Sequence, residues 1–307
     1  MTASDTAPSQ IHGDQVHGDQ IDAPIDVDEL ARQRARRLEK IASWVLPAVV
    51  IIGSLLLWQW AVVANEIPHY ILPGPDLVWK ALVDNAATLF DSWLITIQTT
   101  ALALLAAVAG GVGLAVLFNQ SRYAEMAFYP YAVILQVTPV VAVAPLILIY
   151  VTDIDLGLFV IPEKIVGMLI VAWIVAFFPI LSNSTLGLRS ADHNLRDLFS
   201  IYGATRWQKL RYLQIPAALP YFLGGLRIAG GLSLIGAVVA EFVAGTGGMG
   251  SGLAFRILEA NYRLKTDLAF AALILIALTG VLIFALLSFL SHALLHKWHE
   301  SAIKREV

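Results

Sequence analysis

Three constellations in this sequence have residue types and spacing suited to chemistry. His292, His296 and His299 recur at i, i+4 and i+7, which places three imidazoles on one helical face, a spacing that metal ligands use. The stretch GTGGMGSG at 245–252 is rich in glycine but lacks the lysine of a phosphate-binding loop. Arg227 and Glu241 are the two charges in an otherwise apolar run from Ile215 to Ala244. Each has a simpler alternative. The histidines adjoin Lys297 and Trp298, so a boundary role between membrane and water accounts for them without a metal. The glycine stretch fits a flexible gate, a docking loop or a plain linker. There is no cysteine, no HExxH, no GxSxG and no GxxxxGK[ST], so thiolate chemistry, intramembrane hydrolysis and a phosphate loop all lack their residues. A non-catalytic chain without a metal site is expected.

The elements that position these residues follow from composition. The 307 residues are 58% hydrophobic and 14% charged, and the mean hydropathy is +0.73. That is too apolar for a soluble domain and fits a polytopic membrane protein in the lipid bilayer, with no nucleic-acid role. Uncharged stretches lie between Lys40 and Glu66, Asp91 and Arg122, Glu125 and Asp153, Lys164 and Arg189, and Asp267 and Lys297. Each exceeds the roughly 20 residues that a helix needs to cross the hydrocarbon. The run from Ile215 to Ala244 makes a sixth span. Lipid offers no partners to open strand edges, so the expected fold class is all-α, with six transmembrane helices.

With the N-terminus inside, the outer segments carry only Lys80, Lys164, Arg256, Arg263 and Lys265, against fourteen basic residues in the inner segments. This bias places both termini in the cytoplasm. Residues 1–40 read as a disordered cytoplasmic tail, 41–296 as the membrane domain and 297–307 as a short cytoplasmic tail. In the first tail, HGDQVHGDQI at 12–21 duplicates a five-residue unit; His12, Asp14, His17 and Asp19 could hold a metal loosely, but a disordered tail with a chance duplication is the preferred reading. The first apolar run begins at Ile41 and is too long for a signal peptide. In LPGPDLVWKAL, Pro75 is placed to open a short amphipathic helix on the outer face, with Leu77, Val78, Ala81 and Leu82 on its apolar side.

Within the spans, Gln136, Thr138 and Pro139 fall near the middle of the third, where polar groups line a pathway or bond within the helix. Arg227 and Glu241 are too far apart to pair within one straight helix and are candidates for a pathway or gate. Gly224, Gly225, Gly230 and Gly231 would allow close packing against a second subunit.

The inner loop IYGATRWQKLRYLQIPAALP at 201–220 is basic and free of acids. Ser190 or Asp192 can cap a helix running to about Tyr202, and Gly203 can end it with positive φ. Thr205 and Gln208 fit a capping box that starts a second helix, which Pro216 should close. Leu195, Leu198, Phe199 and Tyr202 form an apolar face suited to a groove on a soluble partner. A basic loop that only fixes topology is the alternative.

This stretch resembles the EAA loop of ABC importer permeases, E-A-A-x3-G-x9-I-x-L-P. It reads Asp197-Leu198-Phe199, then Gly203, then Leu213-Gln214-Ile215-Pro216, with the spacing kept and the first three residues substituted. ILPGPDLVWKAL, QVTPVVAVAPLILIY and GLRIAGGLSLIGAVVAEFVAGTGGMGSGL are similar to the branch serving nitrate, sulfonates, taurine and pyrimidine or flavin precursors. The resemblance covers roughly residues 45 to 295 and implies a type I ABC importer permease fold with a cytoplasmic helix-turn-helix coupling loop at 190–216. It implies a pair of ATPase subunits that bind ATP and contact Asp197, Leu198, Phe199, Tyr202, Gly203, Leu213, Ile215 and Pro216. It also implies an extracytoplasmic solute-binding protein, a second permease copy and a bacterial inner-membrane location, with no cofactor in this chain. The alternative function is an ion-coupled carrier or channel that needs no ATPase. No residue pattern specifies the solute.

Overall fold

A computed structural model describes residues 27–155, 157, 160–245 and 251–296. The chain comprises two units, residues 1–57 and 58–307. Helix α1 (Val27–Ala64) starts in the first unit and ends in the second, and is long and apolar enough to cross a membrane from Ile41. It corrects the expected 1–40 tail over its last part, because Val27–Lys40 is helical. That segment, VDELARQRARRLEK, is dense in strong helix formers. The duplicated pentapeptide lies outside the described residues.

The second unit continues with α2 (Pro75–Asp84), α3 (Ala86–Gln120), α4 (Arg122–Val137), α5 (Val140–Tyr150), α6 (Glu163–Arg189), α7 (His193–Ile201), α8 (Arg206–Lys209), α9 (Ile215–Ala244), α10 (Leu253–Tyr262) and α11 (Thr266–Leu295). Among the described residues of both units, five helical runs meet the length and apolarity of a span, and α4 with α5 makes a sixth if the bent pair is one span. That pair occupies the stretch read as the third span. It breaks between Val137 and Val140 with a 105° bend. Thr138, immediately before Pro139, is extended at ψ 127, the conformation that a following proline ring favours. Between α5 and α6 the strands β1 (Ile154–Asp155) and β2 (Val160–Ile161) form a small antiparallel ladder, a minor addition to the α-helical class.

The main core joins α3, α6, α9 and α11 around Ala107, Ala115, Ala176, Ile180, Leu181 and Ala229. Small side chains let backbones touch: a Cβ on Gly236 would lie 2.7 Å from the Ala172 Cα. Hydroxyls in the spans donate back along their own helix, as Thr100 does to the Thr96 carbonyl and Thr185 to the Leu181 carbonyl. A second cluster packs Val78 and Ala81 of α2 with Leu253, Ala271 and Ala272 of α10 and α11. The buried face of α2 therefore meets protein, with Leu77 left exposed.

Candidate coupling and pathway sites

The loop at 190–216 is built from local hydrogen bonds. Asp192 caps α7, its Oδ1 accepting the N–H groups of Asn194 at 2.7 Å and Leu195 at 3.3 Å. Ser190, the other candidate cap, instead donates its hydroxyl to the Gly187 carbonyl at 2.8 Å. The helix ends in a Schellman motif: Ala204 N–H reaches the Phe199 carbonyl and Gly203 N–H the Ser200 carbonyl. Gly203 stands at the left-handed position of that motif with φ +68. Thr205 then caps α8, and the capping box with Gln208 is complete.

Past this point the sequence reading needs correction. Pro216 does not close a second helix. Five residues, Leu210–Gln214, form a π-turn, and the helical run continues from Arg206 to Ala244. The Ile215 N–H donates to the Leu210 carbonyl, five residues back. This wider turn sits immediately before Pro216, which has no N–H to donate and whose ring would crowd a tighter turn. The α8 arm of the corner and the membrane span are thus one helical run.

Exposure separates the loop residues. Leu195, Leu198, Ile201 and Tyr202 are exposed, Phe199 is half-buried, and Leu213 is buried. Asp197 pairs with His193 at 2.9 Å on the outer face of α7. Ile215 is exposed and Pro216 half-buried. Leu198, Phe199, Tyr202, Ala204, Gln208 and Tyr212 surround a 430 Å³ hollow in the corner. Three further residues anchor it that sequence reasoning missed. The Arg196 guanidinium donates to the Arg189 carbonyl at 2.8 Å and the Leu188 carbonyl at 3.2 Å, closing the end of α6. Asn119 and Gln214 bond reciprocally between α3 and the π-turn, at 2.8 and 3.4 Å. Asn119 and Gln214 are 95 residues apart, so only their polarity beside apolar runs hinted at them.

The pathway candidates do not form one cluster. Gln136 is exposed just before the break, and Thr138 donates its hydroxyl to the Ile134 carbonyl at 2.7 Å. Arg227 donates to Ser291 Oγ on α11 at 2.9 Å. Glu241 is buried, and its Oε2 accepts the Ala254 N–H at 3.0 Å in the first turn of α10. Thr96 Oγ1 of α3 accepts the neighbouring Leu253 N–H at 2.9 Å. Two residues from two spans therefore satisfy two of the free N–H groups of α10, a helix the sequence did not announce. The glycines divide: Gly225 packs on α6 and Gly230 on α11, whereas a side chain at Gly224 or Gly231 would meet nothing within 4 Å. The packing expected of all four against a second subunit is corrected for Gly225 and Gly230. His299 and residues 246–250 of the glycine stretch lie outside the described residues, and those described contain no group of three metal-ligating side chains.

One bent pair of helices, a small-residue core and five helices long and apolar enough to span among the described residues are those of a polytopic helical membrane protein. Residues 107–299 match the family described as binding-protein-dependent transport system inner membrane component. The riboflavin transport system permease protein RibX of Chloroflexus aurantiacus is 36% identical, over 82% of this chain and 90% of its own. The formylaminopyrimidine transport permease protein ThiX of Halalkalibacterium halodurans is 30% identical, over 78% and 92%. In fold, the chain is similar to a bacterial ABC transporter involved in the import of the acidic polysaccharide alginate, at TM-score 0.57, 19% identity and coverage of 84% and 99%. The chain belongs to the family of binding-protein-dependent transport inner membrane components, and it is a permease subunit of an ATP-binding cassette importer.

Proposed function

We propose that residues 190–216 are the surface on which the ATPase subunits act, and that α8 and α9 carry their motion into the membrane. The continuity of helical structure from Arg206 to Ala244 supports this reading most strongly. A partner that engages Leu198, Phe199 and Tyr202 at the corner moves α8, and α8 has no flexible joint with the span. Asp197 and Gly203 orient that face, while Leu213, Ile215 and Pro216 set the turn that joins it to α9. ATP binds and is hydrolysed in the partner subunits, and this chain carries no cofactor of its own.

The bend at Thr138–Pro139 is proposed to shape the pathway, with Gln136 beside it, because irregular backbone at membrane depth is tolerated where it lines a cavity. Arg227 ties α9 to α11, and Glu241 holds α10 at the proposed outer gate. A second copy would pack on the α9 stripe of Gly224, Ile228, Gly231 and Ile235, whose isoleucines are exposed. Both termini lie in the cytoplasm by the balance of basic residues, and a solute-binding protein docks on the opposite face. The solute is a small heterocycle of the riboflavin or formylaminopyrimidine kind, on the strength of the relatives at 36% and 30% identity. Co-expression with the ATPase encoded beside it tests the coupling surface. Co-purification should be lost when residues 195–204 are replaced by a glycine-serine linker, and retention would contradict the reading.

A further inference from the structure

Two adjoining hollows lie on the side of the molecule that carries α8. The first, of 540 Å³, is lined by Arg122, Arg206 and Lys209 together with Asn119, Ser121 and Gln214, and none of its lining residues is acidic. Glu125, near its edge in sequence, is already engaged by Arg189 at 2.6 Å. The second, of 590 Å³, is a groove walled by Val112, Val116, Leu188, Ala218, Leu219 and Phe222. Both volumes fall within the roughly 300–1,000 Å³ of small-molecule sites.

Both hollows take lining residues from α3 and from the helical run Arg206–Ala244. On α3 the groove residues Val108, Val112 and Val116 continue, at helical spacing, to Asn119 and Gln120 of the basic cleft, to which Arg122 and Tyr123 of α4 are added beyond the extended Ser121. On the other side Phe222 and Ala218 lead back to Gln214. The Asn119–Gln214 hydrogen bond, 2.8 Å, marks the junction. The groove floor also carries Ser184, whose buried hydroxyl has no hydrogen-bond partner among the described residues. A cationic, polar mouth at the end of two spans, opening onto an apolar slot between them, matches an amphiphile with an anionic head.

We propose that α3 and α9 bind an anionic phospholipid, its phosphate among Arg122, Arg206 and Lys209 and an acyl chain along Val112, Val116 and Phe222. Arg206 and Lys209 lie within the proposed coupling surface, but the partner contact assigned to Leu198, Phe199 and Tyr202 does not use them, so failure of the lipid site would leave that contact standing. The charge of the cleft selects the head, and the groove selects a lipid over a free anion.

The full chain, reconstituted in vesicles of equal phosphatidylglycerol and phosphatidylcholine and then extracted in mild detergent, is read by native mass spectrometry. Phosphatidylglycerol should be retained above its share, and Arg122→Gln should lower that enrichment about fivefold. Gly113→Leu places a side chain in the groove at a position where an added Cβ meets nothing within 4 Å. It should reduce retained lipid of both kinds, with the chain still folded and its oligomeric state unchanged. Equal retention of the two lipids would overturn the proposal. So would displacement by inorganic phosphate with no effect of Gly113→Leu, which would assign the cleft to free anions. Dissociation of an oligomer by Gly113→Leu would make the groove a subunit interface and would overturn it too.

Discussion

Lys209 of α8 donates to Ser200 Oγ of α7 at 2.7 Å, joining the two arms of the corner across Gly203. Ser200 in turn donates to the Arg196 carbonyl at 2.9 Å, so the tie runs into the backbone of α7. The contact is exposed, and exposed charged contacts contribute below about 1 kcal/mol. Lys209→Met should therefore leave ATPase association within about twofold of the parent, read by co-purification. A complete loss would mean that this tie, and not the backbone motif, holds the corner.

The cap of α7 should matter more. Asp192 serves two backbone donors, and removing such a cap costs about 1 kcal/mol, up to about 2. Asp192→Ala should fray the first turn of α7 and weaken ATPase association, while Asp192→Asn, which keeps an acceptor, should restore most of it. Protease sensitivity within residues 190–200 reads the fraying. Equal protection in all three proteins would remove the cap from the account.

At the other end of α9, Glu241→Leu leaves the buried Ala254 N–H without its acceptor, at a cost of about 1–3 kcal/mol. Glu241→Gln keeps an oxygen there. Thermal unfolding in detergent should show a clear fall for leucine and a small one for glutamine. Indistinguishable midpoints would show that the contact does not hold α10.

Much of the corner was legible because its determinants are local. Asp192, Gly203, Thr205 and Gln208 act within a few residues of themselves, and the structure gives each the conformation that its chemistry requires. Pro216 was misread because a proline reports only a missing donor. Whether the helix stops or widens into a π-turn depends on the packing of Leu210 and Leu213, which are buried. The bend at Thr138–Pro139 was hidden by uniform apolarity on both sides, which satisfies a length criterion whatever the path. Glu241 and Ala254 are 13 residues apart, with no periodicity to announce the pairing. Gly224 and Gly225 are adjacent and chemically identical, and only the positions of α6 and α11 decide which packs inside the chain.

The charge balance makes a separate prediction about orientation. Reporter fusions after Lys40 and after Glu300 should both register in the cytoplasm. An external signal from either would invert the proposed faces and move residues 190–216 away from any ATPase.

The most direct measurement is solute-stimulated ATP hydrolysis by the reconstituted complex carrying Gly203→Val. The left-handed conformation at φ +68 costs a residue with a Cβ about 1–2 kcal/mol, and a β-branched side chain fits it worst. The substitution should turn Leu198, Phe199 and Tyr202 away from their partner while all spans still insert. The account predicts normal membrane levels, weakened ATPase association and loss of stimulated hydrolysis. A variant that reaches parental levels and couples transport to ATP as well as the parent does would contradict it.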